Sequence, residues 1–212
     1  MYWKKGGRAV APAPPLMTVD EYFTKTPETV KPMELIFGEL RVADSPTPRH
    51  QMAVVDLFRA LDAHVRERDL GRMWVAPLDV VLHEGRALIV QPDLFFISNQ
   101  REHIVSDRVR GAPDLVIEVL SPHPRIGRTS ERVAWFAEFN VRECWLVHQD
   151  QVSVEVIQFE HLAIAQRETV DRRQPIASTV LPAFESSLDD IFYRGASTRR
   201  KQERPSDIGR TD

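Results

Sequence analysis

The sequence predicts one α/β domain, a mixed sheet with helices packed against it. Three observations predict this class. A long amphipathic stretch with helical spacing precedes several short runs of β-branched and aromatic residues, and a second helix-like segment interrupts those runs. No internal repeat is visible. The chain has 212 residues, 42% of them hydrophobic, which suits a single core with polar ends.

Residues 1–16 are proline-rich and read as a disordered leader. Thr18, with Glu21 three residues later, is a capping-box pattern that opens a short helix. Gly38 separates the runs Met33–Phe37 and Glu39–Ala43, which predicts a tight hairpin. The loop Pro46-Thr47-Pro48 leads into a helix from about Arg49 to Leu70, with Val54, Phe58, Leu61 and Val65 on one face and Gly71 as the stop. Strands are expected at Arg72–Ala76, Asp79–His83, Leu88–Ile97 and Asp114–Leu120. A helix from about Arg128 to Phe139 follows, then a strand pair, Glu143–His148 and Val152–Phe159, turned by Gln149-Asp150-Gln151. Further strands near Leu162–Thr169 and Ile176–Val180, and a short helix Ser187–Phe192, complete a domain over 17–193. Residues 194–212 read as a basic, disordered tail.

No apolar run approaches the roughly 18–20 residues that span a bilayer, so no membrane partner is expected. Cys144 is the only cysteine, which excludes an intrachain disulfide and points to a buried thiol in a reducing, cytoplasmic setting. The segment 17–193 carries 19 basic and 28 acidic side chains, a net of −9. That distribution lacks the footprint of an avid nucleic-acid binder. No glycine-rich phosphate loop, paired-cysteine zinc spacing or Gly-x-Ser-x-Gly elbow is present.

Two acidic segments carry the chemistry. Asp93 in Gln91-Pro92-Asp93-Leu94 and Glu118 in Leu115-Val116-Ile117-Glu118-Val119-Leu120 lie 25 residues apart on strands expected to be neighbours. A buried carboxylate costs several kcal/mol unless it is paired or holds a metal. Two on adjacent core strands therefore call for a partner, and a hard divalent cation with oxygen ligands suits them. Taken singly, Asp93 also reads as a turn residue and Glu118 as an edge glutamate facing solvent. His50, Asp79, Arg125 and Arg128 are lesser candidates, with capping, turn or solvated-loop roles as their plainer readings. Arg199-Arg200-Lys201 could add nonspecific DNA affinity.

The acidic pair resembles that of the PD-(D/E)XK nuclease superfamily. The ordered runs Glu34–Leu40, Ala76–Leu82, Gln91–Leu94, Gly111–Pro122 and Val141–Val147 resemble the bacterial Uma-two family of restriction endonucleases, over about Met17 to Phe192. The resemblance implies a restriction-endonuclease-like fold, a central mixed β-sheet flanked by helices, and hydrolysis of DNA phosphodiesters with Mg2+ or Mn2+. It implies Asp93, Glu118 and the Val119 carbonyl as metal ligands and Glu39 as an accessory acid. The superfamily's lysine position, two residues after the glutamate, holds Leu120, and the lysine that the family draws from the following helix is Arg132 here. Arginine keeps the charge, but its pKa above about 12 makes it a poor base. The family's Asp-Pro after the Trp-Leu-Val strand is replaced by His148-Gln149. A homodimer is expected because cutting both strands needs two sites. The alternative is a nuclease-fold protein with weakened or lost catalysis that binds nucleic acid or a protein partner.

Overall fold

The computed structural model describes residues 16–27, 31–120 and 128–192. The sequence-predicted leader (bar Leu16), basic tail and Arg125 lie outside them. In chain order the elements are α1 (Val19–Lys25), β1 (Met33–Ile36), β2 (Glu39–Val42), α2 (Pro48–Glu67), β3 (Gly71–Val75), β4 (Val80–His83), β5 (Leu88–Val90) and β6 (Leu94–Ser98). A 3-10 turn (Asn99–Ile104), β7 (Val109–Arg110), β8 (Leu115–Leu120), α3 (Thr129–Glu138), β9 (Glu143–His148), β10 (Ser153–Glu160) and β11 (Ala163–Asp171) follow.

The strands form two mixed sheets, in the orders β2-β1-β5-β4-β7 and β11-β10-β9-β8-β6-β3. In the second, β8 and β9 run parallel and β6 pairs antiparallel with β8, which sets the Asp93 and Glu118 strands side by side. The α/β class agrees with the sequence prediction; the division into two sheets does not follow from it.

α2 covers one face of the six-stranded sheet. Its Val54, Leu57, Leu61 and Val65 pack with Leu94, Phe96, Leu115, Ile117 and Trp145. Burying side chains of this size stabilises by about 1.5–3 kcal/mol each before entropy is counted. The other face packs Phe95, Val116, Cys144 and Leu146 against Val133 and Phe136 of α3 and Val80, Leu88 and Val90 of the five-stranded sheet. Val19 and Tyr22 of α1 close the far side of that sheet over Leu35, Val81 and Ile89. The Thr18–Glu21 capping box forms as predicted, with both reciprocal hydrogen bonds present.

Two predicted elements differ. The run Leu88–Ile97 is two strands in different sheets, joined by Gln91-Pro92-Asp93. Pro92 has no N–H to give a ladder, and the Gln91 N–H donates to a carboxylate of Glu34 instead of a neighbouring strand. Residues 176–180 form no strand. Ile176 and Val180 are apolar because they pack on the α2-side core, while Ser178 and Thr179 bond to the buried carboxylate of Glu143. The 3-10 turn and the short β7 carry no sequence period long enough to announce them.

Candidate active site

The break at residues 91–93 builds the site. Asp93 emerges just before β6, where its backbone carbonyl accepts from Ala76 N. Its carboxylate Oδ2 then accepts the Val119 N–H at 2.8 Å, which draws it against β8 beside Glu118. The same oxygen lies 3.2 Å from His50 Nε2. His50 sits in the first turn of α2, where Pro48 opens the helix and the Thr47 hydroxyl accepts the His50 N–H. Its hydrogen bond to Asp93 holds the imidazole above its ordinary pKa against the opposing effect of burial, helped by the Asp93 charge, the Val119 backbone and the Glu118 charge. The ring thus faces the Asp93 carboxylate through Nε2, and its Nδ1 is buried without a hydrogen-bond partner among the described residues.

Glu118 projects from β8 toward α3. Arg132 Nε and Nη2 both donate to its Oε1, at 3.1 and 2.5 Å. The remaining arm, Nη1, donates to Glu34 Oε2 at 2.7 Å. Burial of Glu118, with the nearby Asp93 and Glu34 charges, raises its carboxyl pKa to about 7 although Arg132 acts the other way. Arg132 is held firmly protonated by its two carboxylates.

Glu34 is buried on β1, and its Oε1 accepts the Gln91 N–H at 2.7 Å. Gln91 is fixed in turn, its side chain donating to Asp79 Oδ1 and accepting from Met33 N. Tyr22 donates its hydroxyl to the same Asp79 oxygen. Asp79 therefore lies two links behind Glu34 as a support, and burial next to that carboxylate raises the Tyr22 pKa.

The structure brings Asp93, Glu118, Val119 and Arg132 together. It places Glu39 elsewhere: exposed on β2, in an ion pair with Arg41, lining a groove of about 490 Å3 with Leu16, Met17, Glu21, Lys25 and Leu40. The reason is topological. β2 is the outer edge of its sheet, whereas Glu34 stands one strand further in. Glu34 escaped the sequence analysis because one glutamate in a four-residue strand has the appearance of a solvent-facing alternate; only its later partner marks it out. Arg128 is an exposed residue at the start of α3.

Can these residues hold a divalent cation? Asp93 Oδ1 and Glu118 Oε2 have no hydrogen-bond partner among the described residues, and their side chains are 21% and 15% exposed. No group of three His, Cys, Asp or Glu side chains among the described residues is arranged to enclose a metal. An all-protein cage is therefore not what the site offers. Two partly exposed carboxylates supply hard oxygen donors of the kind a divalent cation with a retained hydration shell takes.

A family model described as "Putative restriction endonuclease", Uma2, matches residues 19–189. The chain belongs to the Uma2 family. Among solved structures it is similar to a nuclease-like protein of the DUF820 group from Anabaena variabilis, described as a "putative nuclease". That match has a TM-score of 0.68 at 20% identity and covers 83% of this chain and 97% of the other. No curated protein matches. At this identity the likeness to the Anabaena protein establishes the fold of this Uma2 chain. No helix among the described residues is long and apolar enough to cross a membrane.

Proposed function

We propose that this Uma2 protein is a Mg2+- or Mn2+-dependent endonuclease that hydrolyses DNA phosphodiester bonds, with 17–193 as its nuclease domain. The observation that carries the proposal is the Asp93–Val119 hydrogen bond, which sets two carboxylates side by side at the edge of a core, each with one oxygen that has no hydrogen-bond partner among the described residues. Asp93, Glu118 and the Val119 carbonyl would hold the ion. When bound, such an ion polarises the scissile phosphate and eases ionisation of water at the site. His50 orients Asp93 through its Nε2 contact. Arg132, permanently charged, can stabilise negative charge building on the phosphate but is unsuited to taking a proton from water.

A second reading has a specific observation behind it. Arg132, where the resemblance implies lysine, is engaged with both Glu118 and Glu34. A nuclease-fold protein that only binds nucleic acid or protein could be held in this state. Plasmid nicking with Mn2+ separates the two. Cutting by the wild type that Glu118→Ala abolishes supports the endonuclease. Absence of cutting by the wild type, with activity appearing in Arg132→Lys, identifies a nuclease disabled at one position. Absence of cutting in both favours the binding protein.

A further inference from the structure

The polar cluster holds one group that the proposed chemistry does not use. Glu34 is 4% exposed at its side chain, yet it cannot serve as a free ligand, because both oxygens are taken. Oε1 accepts the Gln91 N–H and Oε2 accepts Arg132 Nη1, each at 2.7 Å. Gln91 is itself pinned by Met33 and Asp79, so Glu34 is a fixed anion rather than a mobile one. Arg132 places a single positive charge between two carboxylates, with one arm on Glu34 and two donors on Oε1 of Glu118.

Resting on the metal-dependent reading above, we infer that Glu34 is a positioning residue that acts through Arg132: it is the permanent counterion that lets Arg132 loosen its hold on Glu118 Oε1 when a divalent cation takes that carboxylate through Oε2. A buried guanidinium with one carboxylate partner would lose its only compensation on releasing it, and that loss would oppose metal binding. With Glu34 in place the arginine keeps a charge-assisted bond while its Nε–Nη2 edge is freed.

The test is a double-mutant cycle on Mn2+ affinity, read by titration calorimetry on full-length protein with circular dichroism as the folding control. Glu34→Gln keeps an oxygen for the Gln91 N–H and removes the charge. In the wild-type background it is expected to weaken Mn2+ binding by about tenfold, near the low end of typical coupling between linked sites. In an Arg132→Met background the same substitution is expected to have a much smaller effect, since only the direct field of Glu34 on Glu118 remains. An equal loss in both backgrounds would overturn the inference, because it would make Glu34 a ligand or a plain source of field. So would an unchanged affinity in the wild-type background. Should Arg132→Met fold poorly, Arg132→Lys replaces it: an ammonium lacks the fork that spans both carboxylates, so the effect of Glu34→Gln must shrink, and an undiminished effect refutes the inference. Failure of the wild type to bind Mn2+ at all would instead sink the metal-dependent reading itself.

Discussion

Replacing Arg132 with methionine should destabilise the fold far more than an ordinary surface change. Methionine retains most of the apolar stem and removes the guanidinium. Arg132 is 11% exposed, and Glu34 and Glu118 are 4% and 15% exposed, so the substitution strands two carboxylates in a largely dry setting. Breaking a buried pair in this way costs about 3–5 kcal/mol. For a domain of this size each kcal/mol moves Tm by about 2–4 °C, which gives a fall of about 6–20 °C. The loss depends on pH with a definite sign. The folded-state pKa of Glu118 is raised, to about 7 from 4.5, so the folded protein binds this proton more tightly than the unfolded chain. The associated stability is present at low pH and declines as pH rises through that window. Without arginine the preference for the protonated form strengthens, so the deficit at pH 5.5 should be smaller than at pH 8. Urea unfolding of both proteins at the two pH values, without metal, measures it. A deficit below about 1 kcal/mol at pH 8, or one that is equal at both pH values, would refute the claim that the arginine offsets buried charge. A triple variant with Glu34→Leu, Glu118→Leu and Arg132→Met should be as stable as the wild type or more so, since apolar replacements of buried ion clusters usually are. That outcome would place the reason for retaining the cluster in function.

Four further outcomes are expected. Mn2+ affinity should rise about tenfold per pH unit below pH 7 and level off above it, because Glu118 must lose its proton to act as a ligand; calorimetry between pH 5.5 and 8.5 checks this, and a flat profile counts against Glu118. Mn2+ at a hundred times its Kd should stabilise the wild type by about 2.7 kcal/mol and leave Asp93→Ala unmoved in a thermal melt. Glu143→Ala should cost about 3–5 kcal/mol in urea unfolding and expose residues 174–184 to protease, because the buried carboxylate of Glu143 accepts from Trp145 Nε1, the Ser178 hydroxyl, and the N–H and hydroxyl of Thr179. Leu57→Ala, fully buried between α2 and the sheet, should lower the urea midpoint by the equivalent of about 2–5 kcal/mol without altering Mn2+ affinity.

What could be seen in the sequence was what local patterning controls. The strand Glu143–His148 rests on a short continuous apolar run, the hairpin around Gly38 on turn chemistry, and α2 on an apolar stripe at helical spacing. Asp93 and Glu118 stood out because charge interrupts an otherwise apolar run. The rest depends on contacts between distant segments. Leu88–Ile97 looks continuous because both halves are buried, and nothing local says that they enter different sheets. Ile176–Val180 has the composition of a strand but meets the core side-on. Glu34 acquires its meaning from an arginine 98 residues away. His50, whose plainer reading was a cap or a surface group, contacts Asp93 across 43 residues. In each case the deciding partner is remote in sequence, and pattern within one segment cannot supply it.

The strand break at residues 91–93 and the turn of Asp93 toward β8 leave two backbone amides, Gln91 and Val119, bonded to carboxylates of the cluster rather than to a neighbouring strand. These two protons act as built-in gauges. Their chemical shifts and solvent-exchange rates follow the hydrogen bonds that Glu34 and Asp93 accept, whereas amides within the surrounding ladders follow the integrity of the sheets. Occupancy of the site can therefore be watched in the backbone amide spectrum of the unmodified protein, with no substrate, label or substitution near the chemistry.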